Sequence, residues 1–434
     1  MYLSDKRAKK VRQALDRFFA ALNVLFPKDG YAPSQDQLLG MQNIWGANHY
    51  HRENDVVLRN AEGCWVWDMA GKRYLDMNAT YSAIAHGHGN IELIGAMLKQ
   101  AFRMTSAQNR FVNDMQPQLL AQITALTHQD GAILMNTGAE AFDTAVKGAR
   151  QWAYQVKGVR SDRAAIISAQ GNFHGRTLAA IAASATEKYR TDFGPFPPGF
   201  KKVPYADIEA LKKTITPNTA AFIVEPIQGE GGIVVPPSGY LEAVRTLCTK
   251  KNVLLIFDEI QTGLGRTGKL FAGEWSGVHA DGILLGKALG AYMPVSAFAA
   301  RHDIVKCFTP GRHGSTFGGT ALSCATALKS LELIVRDDLA LVKNSANMGE
   351  YFLAELLKLR SPAIKDVRGK GLFVGMELDK NVATADQLFM KLKKHGLISG
   401  VAGNNTVRFT PPLVINKSEI DLAVQCIAKA AQEL

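Results

Sequence analysis

An acid and a lysine at the ends of two apolar runs give this chain its first chemical signal. The run Val253-Leu254-Leu255-Ile256-Phe257 is apolar throughout, the pattern of a strand buried on both faces, and it ends at Asp258-Glu259. A second run, Ile283-Leu284-Leu285, ends at Gly286-Lys287. Parallel strands deliver site residues at their carboxyl ends, so one strand offers a carboxylate and the next an amine. That pair suits pyridoxal phosphate, whose aldehyde takes a lysine amine and whose pyridine nitrogen needs an acid to stay protonated. Nucleotide hydrolysis competes, because an Asp after an apolar strand also binds magnesium. Gly263-Leu-Gly-Arg-Thr-Gly268-Lys269 even has the G-x-x-x-x-G-K spacing. However, Leu270 stands where a Ser or Thr must reach the metal, and no apolar strand leads in, so that chemistry is rejected.

Other stretches carry groups such a cofactor would need. Met135-Asn136-Thr137-Gly138-Ala139-Glu140-Ala141 follows a strand at 132–135 and opens a helix, where free N–H groups and the helix dipole can hold phosphate. A plain helix start gives the same pattern. Gln170-Gly-Asn-Phe173-His174-Gly175-Arg176 offers an aromatic ring on a glycine-flanked loop after a strand at 164–168, the alternative being a core Phe. Glu225-Pro-Ile-Gln-Gly-Glu230-Gly-Gly232 places two acids in a glycine-rich loop, and His313-Gly-Ser-Thr316-Phe-Gly-Gly319 is a second loop bearing hydroxyls. Arg408 lies inside an apolar strand and must meet a carboxylate, because an unpaired buried charge is too costly. His86 and His88 could be half of a metal site. With no further ligand at a suitable spacing, a loop tied by histidine hydrogen bonds is expected and no metal is assigned.

The elements that must position these groups alternate. Helical patterns at 91–104, 115–127, 139–157 and 239–251 are interleaved with apolar strands at 132–135, 164–168, 221–225, 253–257, 282–285 and 295–299. Such alternation predicts an α/β fold with a mainly parallel sheet covered on both faces. Before it come short strands with a hairpin turning at 70–72; after it, a helical pattern at 321–359, strands near 372–378 and 406–409, and a closing helix.

At 434 residues the chain is long for one core, so a large domain with a smaller partner is expected. No apolar run nears the roughly 20 residues of a bilayer span, which argues against a membrane protein. Five scattered cysteines without a C-x-x-C pair favour reduced thiols and a cytoplasmic setting, with a mitochondrial matrix as the alternative. The net charge of +11 is spread rather than gathered in a stripe, so it suits anionic small molecules better than nucleic acid. The densest basic cluster, Lys6 to Arg12, reads as the solvated face of a terminal helix.

Taken together, these motifs resemble the class III, fold-type I pyridoxal-phosphate aminotransferases over nearly everything beyond residue 40. Phe193-Gly-Pro-Phe-Pro-Pro-Gly-Phe200, Asp258-Glu-Ile-Gln-Thr-Gly263, Leu284-Leu-Gly-Lys-Ala-Leu289 and Arg408-Phe-Thr-Pro-Pro-Leu-Val-Ile415 add to those quoted above. Within the class the chain looks most similar to the ornithine δ-aminotransferases. The resemblance implies a large domain at 86–325 built on a seven-stranded-type sheet and a small α+β domain at 326–434. It further implies a segment at 41–85 packing with the small domain, and a helical extension at 1–40.

It also implies roles. Lys287 would bind the cofactor covalently and shuttle the proton, Asp258 would hold the pyridine nitrogen, and Gln261 would face the phenolic oxygen. Phe173 would stack on the ring, His174 would help bind the cofactor, Gly138 and Ala139 would bind phosphate, and Thr316 would reach the phosphate of a neighbouring subunit. A shared site of that kind requires a homodimer or higher assembly. Tyr50, Tyr81 and Arg176 would hold the amino-acid end of ornithine, while Arg408, masked by Glu230 during the first half-reaction, would anchor 2-oxoglutarate. Two departures stand out: His174 replaces the Trp of animal ornithine enzymes, and Tyr50 lies in Asn-His-Tyr-His-Arg-Glu rather than Asn-Tyr-His-Pro. The alternative within the class is another ω-aminotransferase, acting on acetylornithine, 4-aminobutyrate, lysine or putrescine.

Overall fold

The computed structural model describes residues 33–434 except Asn54, together with Lys10, Gln13, Ala14 and Arg17, which are helical. The rest of the expected basic N-terminal helix lies outside the described residues. Three short strands come first: β1 (Leu58–Glu62), β2 (Trp65–Asp68) and β3 (Arg73–Asp76). β2 and β3 form the expected hairpin, closed by the Asp68 N–H on the Lys72 carbonyl at 3.0 Å, with Gly71 at φ 85°.

The central sheet uses β4 (Gly131–Met135), β5 (Ala165–Ala169), β6 (Phe200–Val203), β7 (Thr219–Val224), β8 (Leu254–Asp258), β9 (Gly282–Leu285) and β10 (Ser296–Ala300). Its order is β4-β10-β9-β8-β7-β5-β6, and only β10 runs antiparallel to its neighbours. Every residue of β5, β7, β8 and β9 is buried, as the unbroken apolar runs require when helices cover both faces. A fully buried side chain such as Phe222 or Leu255 contributes roughly 1.5–3 kcal/mol of transfer free energy. The helix Gly138–Gln155 packs its alanine-rich stripe on one face, with Phe142, Ile166, Ile223 and Ile256 in the same cluster.

Two elements differ from the sequence expectation. β6 reads Phe-Lys-Lys-Val, and its lysines hide the apolar pattern; at a sheet edge they cost little. The helix Ala321–Leu357 is broken at Arg336–Leu339, where Asp337, Asp338 and Leu339 adopt φ of 52°, 55° and 60°. Apolar residues continue on both sides, so periodicity alone misses the break. Arg336 is held there by Glu92, at 2.9 and 2.7 Å, and by Glu332.

A third sheet, β11 (Ile364–Lys370), β12 (Phe373–Leu378), β14 (Gly400–Ala402) and β15 (Thr406–Phe409), is antiparallel in the order β11-β12-β15-β14. The two-residue β13 (Leu397–Ile398) instead pairs in parallel with β3, joining the two ends of the chain. Arg266, from the loop with phosphate-loop spacing, is buried and donates to the carbonyls of Leu372 and Pro411. That loop is therefore a structural tie between the central sheet and the C-terminal region. His86 and His88 tie their loop as expected, through the Ser330 carbonyl at 3.1 Å and the Asp76 carboxylate at 2.8 Å.

Candidate active site

Sheet register brings the acid and the lysine together. Asp258 pairs with Leu284, so it stands one strand away from the turn that carries Lys287. Val224 pairs with Phe257, which sets Glu225 beside Asp258 at the same edge. Asp258 is 3% exposed and held on both oxygens: His174 Nδ1 lies 2.7 Å from Oδ2, and the Ile260 N–H donates to Oδ1 at 3.2 Å. His174 is buried too, stacked on Phe142 with ring centroids 4.6 Å apart and 9° between planes. It backs Asp258 from the core side, and Asn172 Nδ2 lies 3.4 Å from its other ring nitrogen. Such a chain leaves the carboxylate one orientation.

Lys287 adopts φ +45°, a strained conformation for a residue with a side chain, at the start of a short 3-10 turn. Burial lowers its amine from the ordinary lysine range to about 8. Glu230, Asp258 and Glu225 pull it back up, while Arg408 pushes it further down. All four groups therefore act electrostatically on one amine. Glu225 is pushed up to about 8 by burial and then by Asp258. Its carboxyl accepts the N–H groups of Phe173 at 2.9 Å and Gly229 at 3.1 Å, stapling the aromatic loop to the loop that carries Glu230.

Arg408, on β15, is fully buried and paired with Glu230, which is the carboxylate its burial demanded. Its Nε and Nη2 are buried without a hydrogen-bond partner among the described residues, so the guanidinium has donor capacity that Glu230 does not use. The Tyr81 ring lies 5.8 Å from the guanidinium carbon, within a segment where Ala79 to Ser82 all have positive φ. Gln261 Nε2 reaches the Tyr81 carbonyl at 3.4 Å, and its Oε1 would sit 1.9 Å from a Cβ on Gly229; only glycine allows that approach.

The loop after β5 brings in Phe173 and Arg176. Gly175, at φ +121°, packs against Ala139, where an added Cβ would meet the Ala139 Cβ at 2.6 Å. This seats the aromatic loop on the first turn of helix Gly138–Gln155. Thr137 caps that helix and Glu140 reaches back to the N–H groups of Asn136 and Thr137, a capping box. The N–H groups of Gly138 and Ala139 take no acceptor among the described residues. Arg176 lies with its guanidinium carbon 3.8 Å from the Tyr189 ring centre and 5.5 Å from that of Phe173.

Asp258, His174, Lys287, Gln261, Phe173, Tyr81, Arg176, Glu230 and Arg408 thus form one connected group, with Gly138 and Ala139 at its edge. Tyr50 and Thr316 make no hydrogen bond, ion pair or ring contact with it among the described residues. Tyr50 is exposed and packs on His49 and Arg52. Thr316 is exposed on a loop beside Ser106–Arg110, held by Asn109 and Asn136 through Ser315. Tyr189 was not legible as a site residue; Glu187-Lys188-Tyr189-Arg190 looks like a solvated turn.

This geometry agrees with comparison to known proteins. Residues 47–431 match the family Aminotransferase class-III, and the chain belongs to that family. An ornithine aminotransferase of Geobacillus sp. is 48% identical over 394 residues, spanning 91% of this chain and 98% of the relative. The crystal structure of the ornithine aminotransferase from Toxoplasma gondii superposes with a TM-score of 0.89 at 39% identity, over 93% of this chain and 96% of that one. An acetylornithine aminotransferase structure from Elizabethkingia anophelis has a TM-score of 0.82 at 37% identity, over 93% and 100%.

Class III aminotransferases use pyridoxal phosphate, and a further structure of the Toxoplasma protein is described with the cofactor at partial occupancy in its active site. The residues here fit that group: a depressed lysine amine, a fixed buried carboxylate, and two free N–H groups at a helix start. A titration prediction follows from the first of these. Cofactor-free protein should capture pyridoxal phosphate about tenfold faster per pH unit below 8 and level off above it, because only the neutral amine attacks. Stopped-flow absorbance checks this; a rate still climbing at pH 10 would mean an unperturbed lysine.

Proposed function

We propose that this chain is an ornithine δ-aminotransferase working by a ping-pong cycle. L-ornithine would give its δ-amino group, leaving glutamate 5-semialdehyde, which cyclises to pyrroline-5-carboxylate; 2-oxoglutarate would then take the amino group and leave as glutamate. Bound pyridoxal phosphate supplies an aldehyde that takes up amines and a protonated ring that stores the electron pair released at the substrate carbon. Asp258, oriented by His174, would hold the proton on the ring nitrogen. Phe173 would cover the ring face, Gln261 would face the phenolic oxygen, and the Gly138 and Ala139 N–H groups would take the phosphate. Lys287 Nζ would anchor the cofactor and move the proton at the substrate carbon, a task suited to an amine near neutrality.

The observation that carries the reading is the Glu230–Arg408 pair acting on the same amine. While Glu230 masks Arg408, an α-carboxylate is not drawn there, so the far amine of a diamino acid meets the chemistry. Arg176 and Tyr81, with Tyr50, would hold the carboxylate end. When 2-oxoglutarate arrives, its carboxylate would displace Glu230 from Arg408. Glu230→Ala is expected to lower the preference for ornithine over alanine, in kcat/KM, by at least about tenfold, since an unmasked Arg408 recruits α-carboxylates. An unchanged ratio would remove the gate from the mechanism.

Another ω-aminotransferase is the alternative, and the aromatic Tyr81 beside Arg408 favours ornithine over 4-aminobutyrate. Rates on ornithine, acetylornithine, 4-aminobutyrate, lysine and putrescine separate these, and ornithine ranking last would overturn the proposal. The same proposal includes a homodimer in which Thr316 serves the partner's phosphate; exposed Phe111, Val112 and Phe317 near its loop support a covered face. It includes the division into a cofactor domain and a smaller terminal domain near residues 85 and 325. It places the enzyme in the cytoplasm, supported by five cysteines free of disulfides. No described helix is long and apolar enough to cross a membrane.

A further inference from the structure

We infer that Tyr189 positions Arg176 to receive the carboxylate of the amino donor, and so sets the preference for amino-acid donors over simple diamines. The inference rests on the ornithine reading above. Arg176 is exposed and, among the described residues, pairs with no carboxylate; its close contacts are with the rings of Tyr189 and Phe173 and with the Tyr189 hydroxyl. A long flexible cation with no ion pair ordinarily samples many rotamers. Here the guanidinium carbon lies 3.8 Å from the Tyr189 ring centre, a cation–π contact that restricts the side chain while its N–H groups, paired with no carboxylate among the described residues, can take a planar anion.

Tyr189 is itself rigid. It meets Phe173 edge-on, with centroids 5.9 Å apart and planes at 80°. Its 3-10 turn, Glu187–Tyr189, is followed by Arg190, whose Nη1 donates to the carbonyls of Ile181 and Ala182 at 2.8 and 3.2 Å. Burial, then Glu230, pushes the Tyr189 hydroxyl upward, so the ring stays neutral and does not repel an incoming carboxylate. Tyr189 also lines a cavity of about 720 Å³ together with Phe173 and Glu230, so the ring faces the space where a donor's tail would lie. Arg176 and Arg408 both act electrostatically on the Tyr189 hydroxyl.

The test compares ornithine with putrescine, which is the same diamine lacking the carboxylate, on the holoenzyme. Tyr189→Leu should lower kcat/KM for ornithine about tenfold, the size of one partly buried cation–π contact, and move putrescine by less than about threefold. Tyr189→Phe keeps the ring and should stay within about threefold of wild type on both. In an Arg176→Leu background the further change Tyr189→Leu should cost ornithine nothing. Equal losses on both donors, no loss on either, or a full loss persisting without Arg176 would each overturn the inference. Wild-type enzyme that uses putrescine as well as ornithine would instead overturn the ornithine reading, before any variant is considered.

Discussion

Lys287→Ala is expected to lower kcat by at least about a thousandfold. Two separate functions disappear with the side chain: covalent anchoring of the cofactor and proton transfer at the substrate carbon. Proton transfer by a positioned side chain alone is worth about 10²–10⁴ in rate. No neighbour can substitute. Asp258 is already committed to His174 and the Ile260 N–H, Glu225 to the N–H groups of Phe173 and Gly229, and Glu230 to Arg408. The fold should tolerate the change, because alanine inherits the same positive φ. Steady-state turnover gives the first readout. The second is borohydride treatment of the holoenzyme, which should fix the cofactor mass on the peptide containing Lys287 in wild type and nowhere in the variant. Retention of more than about a tenth of wild-type turnover would remove Lys287 from the centre of the chemistry.

What could be read from the residues alone follows from how local each signal is. β7, β8 and β9 announce themselves because burial on both faces forces an unbroken apolar run, and the polar residue that ends such a run is then conspicuous. Asp258 and Lys287 were legible for that reason. Arg408 was legible through cost, since an arginine inside Thr-Val-Arg-Phe must have an acid, and Glu230 is that acid. β6 was hidden by its two lysines, and the break at Arg336–Leu339 by apolar residues that keep the same period on both sides.

Tyr189 was hidden because its meaning lies entirely in Arg176, thirteen positions earlier, and in a ring contact no spacing rule describes. His174 sits between these cases. Its place beside Phe173 suggests a cofactor-binding residue, and the structure shows its hydrogen bond running to Asp258 and its ring stacked on Phe142. Only the crossing of the β5 loop over the end of β8 reveals that arrangement.

That arrangement makes the second large effect quantitative. Asp258→Ala should reduce kcat/KM roughly thousandfold, and His174→Phe by about 10–100-fold, the usual penalty for losing a group that orients a functional ligand. The two differ because Asp258 is the group that would meet the ring nitrogen, while His174 acts through it. Both are buried, His174 at 1% and Asp258 at 3% side-chain exposure, so removing one strands the other; breaking such a pair costs about 3–5 kcal/mol when the remaining group is charged. A loss of stability could therefore imitate a loss of chemistry, and the measurement must separate them. A cofactor analogue methylated on the ring nitrogen carries a permanent positive charge and needs no acid to maintain it. If Asp258 serves to keep that nitrogen cationic, the analogue should recover at least about tenfold in Asp258→Ala and nothing in wild type. Recovery should be partial in His174→Phe, where the carboxylate remains but is less well aimed. No recovery in Asp258→Ala, with the variant folded and the analogue bound, would mean that the acid serves packing rather than the ring.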